Sequence, residues 1–272
     1  MRLLALVPIL AACTTSDPDV PTPHDGSHLR LVVDDYVLPS TEDEAEAMGS
    51  DFDHDGNLDN AIGIAISALS TYADIRDDAS IRALIGSGQV PSSLEIFGSD
   101  DGSQVVGVEY FATPGIDGSL MRGTALADGG FAVGLGATET TLLLPALVDA
   151  DPTPIALAFT EMQLAPTGSG SYDVRVQGLV ARDGLINGVC TSLLQAITAD
   201  PSAHPYLIDF IDGIDILSGS ANAPLPTLEQ CIQSTGLANL FAPDVTGPDD
   251  AMYVSFGIAL RAVTPRNVPP FE

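Results

Sequence analysis

The run Asp51-Phe-Asp-His-Asp-Gly-Asn-Leu-Asp-Asn60 sets Asp51, Asp53, Asp55 and Asp59 at positions one, three, five and nine of a loop. Carboxylates on alternate residues of a tightly curled segment can face one centre, and Ca²⁺ takes about six to eight oxygens at such a centre. Gly56 stands where the chain must turn sharply, a place for a residue without Cβ. Four like charges this close repel one another unless a cation neutralises them. The chemistry on offer is therefore Ca²⁺ binding by Asp51, Asp53, Asp55 and Asp59, with the Asn57 carbonyl and water adding oxygens. Mg²⁺ fits less well, because it demands a tighter octahedron and keeps its waters. Read without a metal, the same residues form an Asp/Gly turn whose carboxylates cap the helix that follows.

An EF-hand would place a bidentate glutamate at the twelfth position, which here is Ile62. The match is thus to calcium spacing without that ligand. The pattern Asp-x-Asp-x-Asp-Gly-x-x-Asp over Asp51 to Asp59 resembles the loops of dockerin modules and thrombospondin type 3 repeats, and the resemblance implies calcium. Those families repeat the unit; this chain holds one copy. Another side chain would have to close the shell, with Asn60 and Asp74 the nearest candidates. His54 falls between ligand positions and is expected to face solvent.

The chain opens Met-Arg-Leu-Leu-Ala-Leu-Val-Pro-Ile-Leu-Ala-Ala-Cys13, a basic residue, a short apolar run and small residues before a cysteine. This reads as a signal peptide over residues 1–12, too short for a membrane span. Leu10-Ala11-Ala12-Cys13 looks like a bacterial lipobox, and the resemblance implies cleavage before Cys13 and its lipidation. Residues 13–28 carry prolines and hydroxyls with almost nothing apolar and read as a lipidated tether. Thr14 stands where an aspartate would retain a lipoprotein at the inner membrane, so the expected address is the outer membrane of a bacterial envelope. Residues 29–272 form a single globular domain on this reading.

Acidic residues number 37 against 9 basic ones, a net charge of −28, and every basic residue is arginine. Nucleic acid and anionic lipid surfaces would repel such a chain, so nucleic acid is not an expected partner. Beyond Cys13 only Cys190 and Cys231 remain, and in an exported protein they are expected to form a disulfide.

A strand over 28–38 precedes a short acidic helix to residue 48, opened by the capping pattern Ser40-Thr41-Glu42-Asp43-Glu44. The acidic loop follows, then a buried helix over 60–75 and a shorter one over 79–85. From Pro91 the pattern becomes short apolar strands over 94–97, 105–113, 120–126, 131–135, 140–144, 155–164 and 172–182, divided by Asp-Gly turns at Asp101, Asp117 and Asp128 and by Thr167-Gly-Ser-Gly170. Helical patterns over 184–199, 205–217 and 227–240 carry the two cysteines, and residues 252–263 make a closing strand. The fold class expected is α+β, mainly antiparallel β in a sandwich or half-open barrel meander, with an N-terminal helical calcium-loop segment and a C-terminal helical insertion clipped by the disulfide.

The order of lipobox, Asp51 to Gly63 stretch and terminal strand Phe256-Gly-Ile-Ala-Leu-Arg-Ala-Val263 resembles a group of uncharacterised lipoproteins of myxobacteria. His54 departs from that pattern, where glycine is usual. The resemblance implies an envelope address and a metal loop, and no activity.

Catalytic signals are weak. Only His54 and His204 lie in the body, and the nucleophile-elbow, zinc-hydrolase and phosphate-loop motifs are absent from the sequence. Asp209, Asp212 and Asp215 form one helical stripe that reads as a solvated face, or alternatively as an acid/base pair or a second calcium site. The function expected is a calcium-stabilised structural or binding module on an envelope lipoprotein, anchored to the membrane through Cys13 and meeting an envelope protein or an apolar ligand. The alternatives are a lipid carrier, whose lining would include Leu142-Leu-Leu-Pro145 and Ile155 to Phe159, and a carboxylate-based polysaccharide hydrolase. Against the hydrolase, the chain has no tryptophan to stack on sugar.

Overall fold

Alternation of apolar and polar residues in the strand segments favours strands paired through short turns, and the structure, a computed structural model, forms them. It describes residues 28–70, 75–98, 105–112, 119–134, 139–168, 170–202, 207, 208, 211 and 225–265. Cys13, Asp74, Asp101, Asp117, His204, Asp209, Asp212 and Asp215 lie outside the described residues.

The strands are β1 (His28–Val37), β2 (Ser93–Gly98), β3 (Val105–Phe111), β4 (Ser119–Ala125), β5 (Phe131–Val133), β6 (Thr140–Leu144), β7 (Thr153–Gly168), β8 (Ser171–Val180), β9 (Val245–Thr246) and β10 (Met252–Val263). Every pairing is antiparallel, in the order β1-β2-β3-β4-β5-β7-β8-β10, and β10 pairs back onto β1. The sheet therefore closes on itself instead of stopping as a half-open meander. Closure removes the two free edges that an open sheet would expose. β6 adds to β7, and β9 adds to β10.

The register shows what fills the ring. Val106 pairs Gly123, Gly123 pairs Val133, Val133 pairs Met162, Met162 pairs Val176 and Val176 pairs Ile258, all on one face and all buried. Leu31, Leu94 and Tyr110 extend that face. Glu95, Gln163 and Arg175 alternate with these residues and point the other way. An eight-stranded ring is about wide enough for side chains to fill it, which is what these residues do.

Six helices with both ends among the described residues surround the ring, and Leu207, Ile208 and Ile211 are helical as well. Thr41 caps α1 (Glu42–Ala47) by accepting from the Glu44 N–H, while the Glu44 carboxylate accepts from the Ser40 N–H and hydroxyl. Asn60 caps α2 (Ala61–Leu69), and Asp77 caps α3 (Asp78–Gly86), which lies along β1. α4 (Arg182–Ala199) rests on β7, where the Ser192 and Thr153 hydroxyls meet at 2.5 Å. The helical pattern over 227–240 divides into α5 (Leu228–Ile232) and α6 (Thr235–Leu240). The division follows from Ser234, whose hydroxyl accepts from the Leu237 N–H and starts a new helix. No helix of the described residues is long and apolar enough to cross a membrane.

Cys190 of α4 and Cys231 of α5 are bonded, as expected, and both are fully buried. The bond spans 41 residues, a loop for which chain entropy gives about 4 kcal/mol of stabilisation. Cys190→Ala/Cys231→Ala should lower stability by about that amount in denaturant titration. A midpoint equal to wild type would mean that α4 and α5 hold together without the bond.

Candidate metal loop and its seat on the barrel

The acidic run folds as a closed loop. At its neck Ser50 and Asp59 form an antiparallel bridge, with the Asp59 N–H donating to the Ser50 carbonyl at 2.8 Å. Inside the neck the carboxylates turn inward onto backbone donors. Asp51 accepts from the Asp55 N–H at 3.0 Å and the Gly56 N–H at 3.1 Å, and Asp53 accepts from the Asp55 N–H at 3.2 Å. Asp59 accepts from the Phe52 N–H at 3.0 Å. These bonds need a chain that doubles back within a few residues. His54 and Gly56 supply the turns with φ of 62° and 94°, a region that glycine adopts freely and histidine adopts at a cost. His54 is exposed, as expected.

One carboxylate oxygen from each of Asp51, Asp53 and Asp59 lies within 4.8 Å of the other two. Three carboxylate oxygens so placed could hold a metal ion. Asp55 is not part of the trio, because its oxygens are taken by the Asn57 N–H at 2.8 Å and the Asn57 amide at 2.9 Å. Those bonds hold the Asp55 carboxyl below the usual aspartate range. Asp59 moves the other way: partial burial raises its pKa, the Phe52 N–H offsets this, and the charges of Asp53, Asp244 and Asp55 add to the rise.

Asn60, read from the sequence as a candidate ligand to the ion, has a different task. It is 1% exposed and its amide is fully engaged. Nδ2 donates to the Ala45 carbonyl at 2.7 Å and the Gly257 carbonyl at 2.8 Å, while Oδ1 accepts from the Gly63 N–H at 2.9 Å and the Gly257 N–H at 2.8 Å. One side chain thus caps α2, ties α1 to it and joins both to β10. Gly257 allows this approach, since a Cβ there would stand 2.2 Å from the Met48 carbonyl oxygen.

Two further contacts complete the seat. The Gln177 amide on β8 donates to the Met48 carbonyl at 3.1 Å and to the Gly49 carbonyl. The Ser255 hydroxyl on β10 accepts from the Ala61 N–H at 2.7 Å and donates to Asp244. Asn60 had a visible signal, an amide immediately before an apolar helix, which is an N-cap position. Gln177 and Ser255 had none beyond being polar residues within apolar strands.

Glu161 faces the same region from β7, at a register shift between Ala158 and Glu161, opposite Gln177. Burial raises its pKa, and the nearby His54 partly offsets the rise. Elsewhere, Ile62, Ile66, Ile75, Leu144, Ile155, Leu185 and Phe241 surround an apolar cavity of about 30 Å³ between α2, β6 and α4. That volume holds about one water. Leu142, Leu144, Ile155 and Leu157, candidate lining of a lipid chamber, are packed core.

The fold and site together define a closed antiparallel β ring bearing a seated acidic loop. No protein-family model, no curated protein and no solved structure matches the chain.

Asn60→Ala removes an N-cap and leaves buried Gly257 groups without partners, so stability should fall by about 3 kcal/mol. Thermal melting should drop by roughly 6–12 °C for a domain of this size. Asn60→Asp should not rescue the loss, because it lacks both donors and buries a charge.

For Glu161 the folded state keeps its proton to higher pH than the unfolded chain, so the native state binds more protons over that window and stability falls as pH rises through it. Glu161→Gln should match wild type below the ordinary glutamate range and exceed it above the window, flattening the melting temperature against pH in chelator. A variant less stable than wild type at neutral pH would mean that the charged carboxylate is held by a partner.

Proposed function

We propose that the chain is a lipid-anchored protein of a bacterial cell envelope in which one Ca²⁺ serves as a structural ion, fixing a binding or scaffolding surface on the barrel. The observation that carries this reading is the meeting of Asp51, Asp53 and Asp59 oxygens within 4.8 Å at the neck of a loop seated on β8 and β10. Three converging carboxylates repel one another, and a cation turns that repulsion into attraction. Asp55 joins them once its bonds to Asn57 give way, and the Asn57 carbonyl and water supply further oxygens. Calcium suits a loop of flexible oxygens better than magnesium does.

The ion would be structural because the loop leads straight into Asn60. Ordering Asp51 to Asp59 holds the Ser50 to Asp59 neck and, through Asn60, the joint of α1, α2 and β10. The lipobox-like run ending at Cys13 and the tether behind it support a membrane-surface address, with Thr14 favouring the outer membrane. The resemblance of the motif order to myxobacterial lipoproteins implies the same address. We assign no catalytic step.

Calorimetry on the full chain tests the proposal. One Ca²⁺ should bind near one-to-one stoichiometry, excess Ca²⁺ should raise the melting temperature relative to chelator, and Asp53→Ala/Asp55→Ala should lose both effects. Equal melting temperatures in Ca²⁺ and chelator, with no heat of binding, would reduce the aspartates to a solvated turn.

A further inference from the structure

The face of the ring that carries the loop continues past it as a charged groove. On the outward side of β8 and β10, Gln177 and Gly257 are covered by the α1 end of the loop segment. One step further along the same strands, Arg175 pairs with Ala259 and Ala259 with Val37; the next step sets Asp173 against Arg261 and Arg261 against Asp35. These two rows form a groove of about 560 Å³, inside the range of small-molecule sites. Its floor is small and apolar at Ala165 and Ala259, and Val37 is 41% exposed there.

Two charged groups in the groove have capacity to spare. Asp35 sits at a register shift in β1 and is 5% exposed. Its Oδ2 takes two N–H donors of Arg82, at 2.9 and 2.8 Å, while Oδ1 is buried without a hydrogen-bond partner among the described residues. A buried carboxylate oxygen lacking a donor is costly, and irregular strand pairing beside a hollow commonly serves to aim a side chain. Arg175 is exposed and makes no ion pair with a described residue. Arg261 is already held by both oxygens of Asp34, at 2.8 and 2.9 Å.

The balance of charge is unusual for this chain. Acidic residues outnumber basic ones 37 to 9 overall, yet the groove sets Arg175 and Arg261 against Asp35 and Asp173. An anionic group repelled by most of the surface can approach here. Asp35 and Arg175 stand two strands and one step apart, about 12 Å between Cα atoms from standard strand spacing and rise. Both residues line the groove, and that separation is one a small molecule with a charge at each end could bridge.

We propose that this groove binds a small zwitterion of the α-amino-acid class, its ammonium received by Asp35 Oδ1, its carboxylate by Arg175 and its side chain by the apolar floor. The site uses no residue of the acidic loop and does not depend on the metal. An amine alone would leave Arg175 without an acceptor, and a carboxylate alone would leave Asp35 without a donor.

Calorimetry and thermal shift on the full chain, in chelator, test this with glycine, alanine and leucine as probes and with ethylamine and propionate as the separate halves. The amino acids should bind one-to-one and raise the melting temperature, and the halves should not. Arg175→Gln removes an exposed side chain, so the free variant should melt as wild type does while binding at least about tenfold more weakly. Asp35→Asn should abolish binding, although its loss of charge beside Arg82 also loosens α3, so Arg175→Gln is the deciding variant. Silence from all three amino acids up to about 10 mM, equal binding by either half, or unchanged affinity in Arg175→Gln would each overturn the proposal.

Discussion

The side chain of Asn60 is the joint on which the N-terminal third of the body hangs. A buried amide offers two donors and one oxygen with two acceptor sites, and leaving any of these unmet in the interior is expensive. Here all are met by backbone groups from three separate elements, α1, α2 and β10. Such a bond set has no slack. Moving the loop or either helix breaks bonds that water cannot replace. The position of the acidic loop on the barrel is therefore specified by hydrogen-bond geometry, while the apolar face of α2 supplies the area burial that presses the segment down.

Gly257 is the reciprocal requirement. A strand residue with a side chain would hold the Met48 carbonyl away, and the Asn60 amide would no longer reach the strand's backbone. The close approach leaves the outward face of β8 and β10 divided into a covered part, at Gln177 and Gly257, and an open part, at Arg175 and Arg261. Both candidate sites thus arise from one decision of the fold: how far along these two strands the loop segment extends.

Charge sets the second constraint. With a net charge of −28, each arginine is scarce, and the structure places several as clamps instead of scattering them. Arg82 holds Asp35, joining α3 to β1, and Arg261 holds Asp34 with a two-pronged bond across β10 and β1. The second clamp lies across the strand pair that closes the ring. Partly exposed pairs of this kind contribute modestly to stability, yet their planar geometry favours one register at the closing seam.

Local pattern was enough for most of the elements. Alternation marked the strands, Thr41 and Asn60 stood where helices begin, Asp128-Gly129 marked the β4–β5 turn, and the two cysteines of the body pointed to one bond. The spacing of Asp51, Asp53 and Asp59 likewise reflects a local rule, because alternate residues in a tight loop converge whatever surrounds them. Ring closure was beyond local pattern, since pairing of β1 with β10 joins residues more than two hundred positions apart. The same holds for the task of Asn60, which depends on Gly257 arriving from the far end of the chain, and for Gln177, Glu161 and the Asp35 groove. Sequence by itself determined the short-range chemistry: the elements, the acidic loop and the cysteine pair. Tertiary structure alone decided which distant backbone groups would satisfy each buried polar atom, because periodicity says which face of a strand is apolar and not which strand will lie beside it.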